Sequence, residues 1–185
     1  MVKMIKGYFN LSQIGKFLLL SLFFHSLVAM AKVPESITLG GVIYSKADEN
    51  IMGNHKSSTY LQKNETLSNW NSMVAIHYYI NERDPMKFAQ DKFGGSSKIE
   101  LIDGNKNNIL QWFDTMNSIG NAGDPVTFQQ NLWRYVKLNY DKGIMAIEFS
   151  QRKMIANQSI PSTTDPISSE IQNDIISLPL DTYGY

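Results

Sequence analysis

Cysteine is missing from this 185-residue chain. That excludes a disulfide scaffold, a thiolate metal centre, a cysteine nucleophile and a lipid-modified cysteine. Histidine is scarce, with three residues in all. No His-x-x-x-His pair, Gly-x-Ser-x-Gly elbow, Walker sequence or Gly-x-Gly-x-x-Gly segment occurs, which removes the common signatures of zinc hydrolases, serine hydrolases and nucleotide-binding loops. Net charge is lacking as well, since 17 Lys and Arg balance 17 Asp and Glu. The apolar run at residues 17–30 is short of the ~20 residues needed to span a hydrocarbon core.

That run belongs to a three-part pattern. Lys3, Lys6 and Lys16 form a positive region, the apolar stretch follows, and Ala29-Met30-Ala31 offers a small-x-small cleavage site. Residues 1–31 therefore read as a secretory signal, cleaved near Ala31, and the mature chain is expected in the periplasm or outside the cell without a transmembrane anchor. The signal takes three basic residues and no acidic ones, leaving 14 against 17, a net charge of −3. A nucleic-acid binder needs a concentrated basic patch to release phosphate counterions, so nucleic acid is not an expected partner. The remaining 185 − 31 = 154 residues are enough for one domain with its own core.

Along the mature chain, residues 37–45 are apolar and 46–58 read as a polar loop. Residues 70–80 are apolar on both parities, the mark of a central strand covered on both faces, with Trp70 in the core. Asp84-Pro85 opens a helix that Gly94-Gly95 stops. Residues 98–102 and 109–113 flank a six-residue polar connection, 128–138 read as a strand in preference to a helix, and 144–155 resume a strand pattern. Residues 156–166 form a Ser/Thr/Pro-rich linker. Asp165-Pro166 then repeats the helix start, with Ile167, Ile171 and Ile175 on one ridge. The expectation is an α+β fold: an antiparallel sheet of about five to six strands with two helices packed against it, in a domain at 32–155, followed by the linker and by a C-terminal helix and tail at 167–185.

Three short stretches carry a resemblance. Glu65-Thr66-Leu67-Ser68-Asn69-Trp70-Asn71-Ser72-Met73-Val74, Asn131-Leu132-Trp133-Arg134-Tyr135 and Phe149-Ser150-Gln151-Arg152 together resemble a group of uncharacterised exported proteins of Gram-negative bacteria. The resemblance spans about residues 60–153. It implies a sheet domain similar to Mog1/PsbP-like proteins and brings no established activity.

Little in the sequence points to catalysis. His77 lies within an apolar strand and reads as a packed histidine, and His55 reads as solvated. Glu100, Asp103 and Glu148 are available carboxylates, but sequence alone does not give the separations that acid/base pairs need. Asp103, Asn105, Asn107 and Asp114 fall at positions 1, 3, 5 and 12 of a calcium loop. Asn108 stands where that loop needs glycine and Asp114 where it needs glutamate, and the flanks read as strands, so a hairpin turn is preferred to a metal site. No catalytic residue and no cofactor is assigned. What remains is aromatic: Tyr79, Trp133 and Tyr135, with Arg134 and Arg152, form a candidate binding face for a partner protein or envelope component. The leading expectation is an exported, non-enzymatic binding domain. The alternatives are a small carboxylate-based hydrolase and a secreted host-directed effector.

Overall fold

The structure, a computed structural model, describes residues 31–94, 97–118, 126–139, 142–155 and 166–184. The rest of the expected signal (1–30), the glycine-containing loop at 119–125 and linker residues 156–165 lie outside the described residues.

The described residues are mostly sheet. Strands β2 (Ser36–Leu39), β3 (Val42–Met52), β4 (His55–Leu61), β5 (Ser72–Tyr79), β6 (Lys98–Ile102), β7 (Asn105–Ser118), β8 (Val126–Lys137) and β9 (Ile144–Ile155) form one sheet in the order β2-β3-β4-β5-β9-β8-β7-β6. Every neighbouring pair is antiparallel. A short parallel pair, β1 (Ala31–Lys32) with β10 (Tyr183–Gly184), ties the two ends of the described chain together. Helix α1 spans Pro85–Phe93 and α2 spans Ser169–Ser177.

Eight strands replace the five to six expected, and the physical reason lies at the edge of the sheet. The supposed polar loop at 46–58 is a hairpin, β3–β4, turned at Gly53 with φ +57°. Most of β3 is exposed, so it carries no buried stripe for periodicity to reveal. The connection between β6 and β7 is also tighter than six residues. Ile102 pairs with Asn105, and Asp103 and Gly104 alone make the turn, at φ +53° and +70°. Two consecutive positive φ values are the hairpin geometry that Asp-Gly favours.

The helix signals act locally. The Asp84 side chain accepts from Lys87 N at 3.0 Å, Pro85 takes the first helical position and Gly94 ends α1. For α2 the cap is Ser168, accepting from Ile171 N at 3.3 Å, and not Asp165. A hydroxyl one residue before the helix supplies the missing acceptor for the first turn.

Each face of the sheet carries a helix. On one face Val74, Ile76, Leu132, Ile147 and Phe149 pack with Ile167 and Ile175 of the C-terminal region. The helix there approaches so closely that a Cβ on Gly40 would meet Ile171 at 2.9 Å, and Gly40 N donates to Asp174 Oδ2 at 2.8 Å. On the opposite face Tyr79, Ile109, Trp133, Tyr135, Ile144 and Ala146 pack with Ala89, Phe88 and Phe93 of α1.

Candidate functional site

Strand parity splits the expected aromatic face. Tyr79, Trp133 and Tyr135 share the α1 face, while Arg134, between two of them in sequence, points the other way. It is buried, donates from Nη1 to the carbonyls of Ile175 (2.9 Å) and Leu178 (2.7 Å) and from Nε to Asn108 Oδ1 (2.9 Å), and so closes the C-terminal end of α2. Burial lowers its pKa, against the charge of Asp181. Arg152 is also apart from the three rings. Its guanidinium lies 4.2 Å from the centre of the Trp70 ring and donates to the carbonyls of Trp70 and Ser68. Trp70 is buried beneath it.

The calcium-type residues are spread along a strand. Asn105 and Asn107 stand at its start, where Asn105 Oδ1 accepts from Asn107 N at 2.9 Å, and Asp114 lies nine residues further on. At the rise of an extended strand that is about 30 Å. These side chains do not converge. Among the described residues no group of three or more His, Asp or Glu is arranged to hold a metal ion.

What the sheet does bring together are two histidines and a glutamate that are 22 and 71 positions apart. His55 pairs across β4–β5 with Tyr79, Ser57 with His77, and Ala75 across β5–β9 with Glu148. His77 Nε2 lies 3.1 Å from Glu148 Oε2, and His77 Nδ1 lies 3.1 Å from His55 Nε2. The neutral tautomers that satisfy both contacts put a hydrogen on Nε2 of each ring, with His77 Nδ1 accepting. The two imidazoles are 19° from parallel with centroids 5.3 Å apart, as two rings meeting in line through one N–H···N bond require.

The chain continues beyond the carboxylate. Ser150 Oγ lies 2.7 Å from both Glu148 Oε1 and Asn131 Oδ1, and Asn131 Oδ1 accepts from Gln129 Nε2 at 2.6 Å. Rings flank it. His55 stacks on Tyr79 at 4.5 Å and His77 on Trp133 at 4.7 Å. Burial, with the charges of His77 and Lys92, lowers the His55 pKa to about 4, so His55 is neutral at physiological pH. Burial and the Glu148 charge raise that of Tyr79.

Lys92, in the last turn of α1, completes the cluster. The residue as a whole is exposed, yet its ammonium lies 4.2 Å from the Trp133 ring centre and 2.5 Å from the Tyr79 hydroxyl. Desolvation lowers its pKa to about 8, opposed by Glu148. The ring faces also favour the cation.

This arrangement is ill suited to nucleophilic catalysis. Ser57 stands opposite His77 in the register, but both His77 nitrogens are engaged. Ser150 faces Glu148 and not an imidazole. One group is left over: among the described residues, Trp133 Nε1 is the buried side-chain donor without a hydrogen-bond partner. A buried donor left unsatisfied costs about 1–3 kcal/mol.

Two cavities lie elsewhere. One of about 310 Å³ is lined by Phe128, Gln130, Gln151 and Lys153, the other of about 540 Å³ by Asn108, Arg134, Lys137 and Asp181. Neither gathers two carboxylates or a histidine, and neither includes the orphaned indole. The histidine-bearing face is therefore the stronger candidate. Sequence reasoning missed it because the partner of His77 lies on β4, a strand hidden in the polar hairpin.

The fold and face define a class: a single eight-stranded antiparallel sheet with a helix on each side and a polar, aromatic-lined surface that one helix covers in part. The chain belongs to an uncharacterised family, whose model matches residues 31–178. No curated protein and no solved structure matches it.

Proposed function

We propose that this protein is an exported, non-enzymatic binding domain that receives a partner protein or an envelope component on the α1 face. Helix α1 lies chiefly over β7 and β8. Over β4, β5 and β9, Ser57, Thr59, Met73, His77 and Glu148 keep partial exposure. The observation that carries the reading is the state of the hydrogen bonds there. The polar groups are paired with one another and so hold a fixed shape, while the buried Trp133 indole lacks an acceptor. A rigid, half-open, aromatic-rimmed surface whose polar groups are already paired with one another favours recognition over turnover.

Export, to the periplasm or beyond, rests on the pattern of residues 1–31. The Gram-negative setting and the likeness to Mog1/PsbP-like sheet domains rest on the stretches around Trp70, Trp133 and Arg152. A secreted, host-directed effector would use the same surface. A carboxylate-based hydrolase is the competing reading, but Glu148 Oε2 is engaged by His77 and Oε1 lies 2.7 Å from Ser150 Oγ.

Two measurements test this. Intact mass of the processed protein should begin at or near Lys32, and an unprocessed cytoplasmic product alone would contradict export. A photo-crosslinking side chain in place of Ser57 should give one discrete adduct in the producing cells. The same group in place of Lys106, at the far hairpin, should give none. Equal adducts from both positions would remove the surface from consideration.

A further inference from the structure

We infer that the ring cluster beneath α1 is a receptor for a primary alkylammonium group carried by the partner, and that Lys92 is its internal stand-in. The inference rests on the binding-face reading and names the chemistry that face recognises. The geometry is that of an ammonium site already filled from within. The Lys92 Nζ lies 4.2 Å from the Trp133 ring centre, with the Phe93 and Phe88 rings at 5.4 and 5.5 Å. Tyr79 meets it through the hydroxyl, at 2.5 Å, more than through the ring, whose centre is 4.8 Å away. Ring faces attract any cation, but a hydroxyl acceptor at that distance selects one that bears N–H bonds. A primary ammonium fits and a quaternary one does not.

Lys92 is a weakly held occupant. Its ammonium makes no carboxylate contact within ion-pair distance among the described residues, with Glu148 acting only through longer-range charge. A desolvated cation without a close counter-ion stands at a cost. The Lys92 residue is exposed, and its flexible stem can leave for solvent without disturbing the buried Ala89 or the Gln111 bonds to Ala89 O and Ser97 Oγ that anchor α1.

The probe is n-butylammonium chloride, titrated into the wild-type domain and into Lys92→Ala, followed through the Trp133 indole signal by ¹H–¹⁵N NMR, with n-butanol and tetramethylammonium as controls. Removing the internal competitor should tighten n-butylammonium binding at least tenfold. Neither control should compete, and adding Tyr79→Phe to Lys92→Ala should reverse the gain. A Lys92→Ala domain that binds n-butylammonium no tighter than wild type, or no better than n-butanol, overturns the inference. Lys92→Gln, which keeps the stem and loses the charge, serves the same comparison if the alanine variant does not fold. Failure here with the Ser57 adduct intact defeats the ammonium chemistry alone. Tightened ammonium binding without that adduct defeats the partner reading alone.

Discussion

Replacing Arg134 by alanine should unlock the C-terminal helix. α2 has no basic residue in its own last turn, so the sheet supplies the cation that a helix C-terminus favours. The guanidinium donates to two carbonyls at that end, of Ile175 and Leu178, and to Asn108. Hydrogen bonds to a charged group are worth about 1.5–3 kcal/mol each, but removing the arginine also removes the cost of burying its charge, so the net loss should be about 3–4 kcal/mol. For a domain of this size that corresponds to a Tm lowered by roughly 10 °C. Thermal unfolding gives the total, and amide exchange locates it: Ser169–Ser177 should exchange faster, with the central strands β5 and β9 little changed below global unfolding. Arg134→Lys should recover little, because one ammonium cannot reproduce a planar fork reaching both carbonyls. A Tm within about 2 °C of wild type, or uniform exchange across the molecule, would refute the assignment of Arg134 as the lock on α2.

Three further outcomes follow from the geometry. Gly143→Ala should be severely destabilising, losing well over 10 °C in a thermal melt, because the new Cβ would sit 2.3 Å from the backbone oxygen of Tyr79 at φ +135°. Trp70→Ala should cost about 3 kcal/mol in urea unfolding through the lost ring burial and the lost seat for Arg152, and an unchanged midpoint would contradict its buried placement. The His55 pKa is depressed in the folded state, so the unfolded chain takes up the proton first as pH falls. The stability it contributes is intact above about 6.5 and is lost as pH falls through about 4. His55→Gln should flatten that part of the stability–pH curve, and an identical slope in the variant would show that His55 is not its source.

How much of this was readable beforehand depended on whether each residue's neighbours were local. Asp84-Pro85 and Gly94 act within a turn or two and placed α1 correctly, and the Asp103-Gly104 pair marked a hairpin even though its length was overestimated. The double-sided apolar run at β5 showed a central strand for the same reason. β3 failed because most of it is exposed to water and so carries no buried alternation. Arg134 could have been separated from Trp133 and Tyr135 by parity alone, since consecutive residues of a strand face opposite sides. The His55–His77–Glu148 chain could not have been found that way, because it depends on the registers of β4 with β5 and of β5 with β9. Neither register is written in any local pattern, and one involves the strand that was missed.

The central claim is that the open half of the α1 face, over β4, β5 and β9, is the working surface. It is tested most directly by blocking that surface while watching it. A photo-crosslinking group in place of Thr59 reports contact, and Ser57→Arg, two residues along the same face of β4, fills the space with a long side chain. The Thr59 adduct should appear in the otherwise wild-type protein and vanish with Ser57→Arg, while the melting temperature stays the same. Persistence of the adduct in a fully folded Ser57→Arg protein would contradict the account.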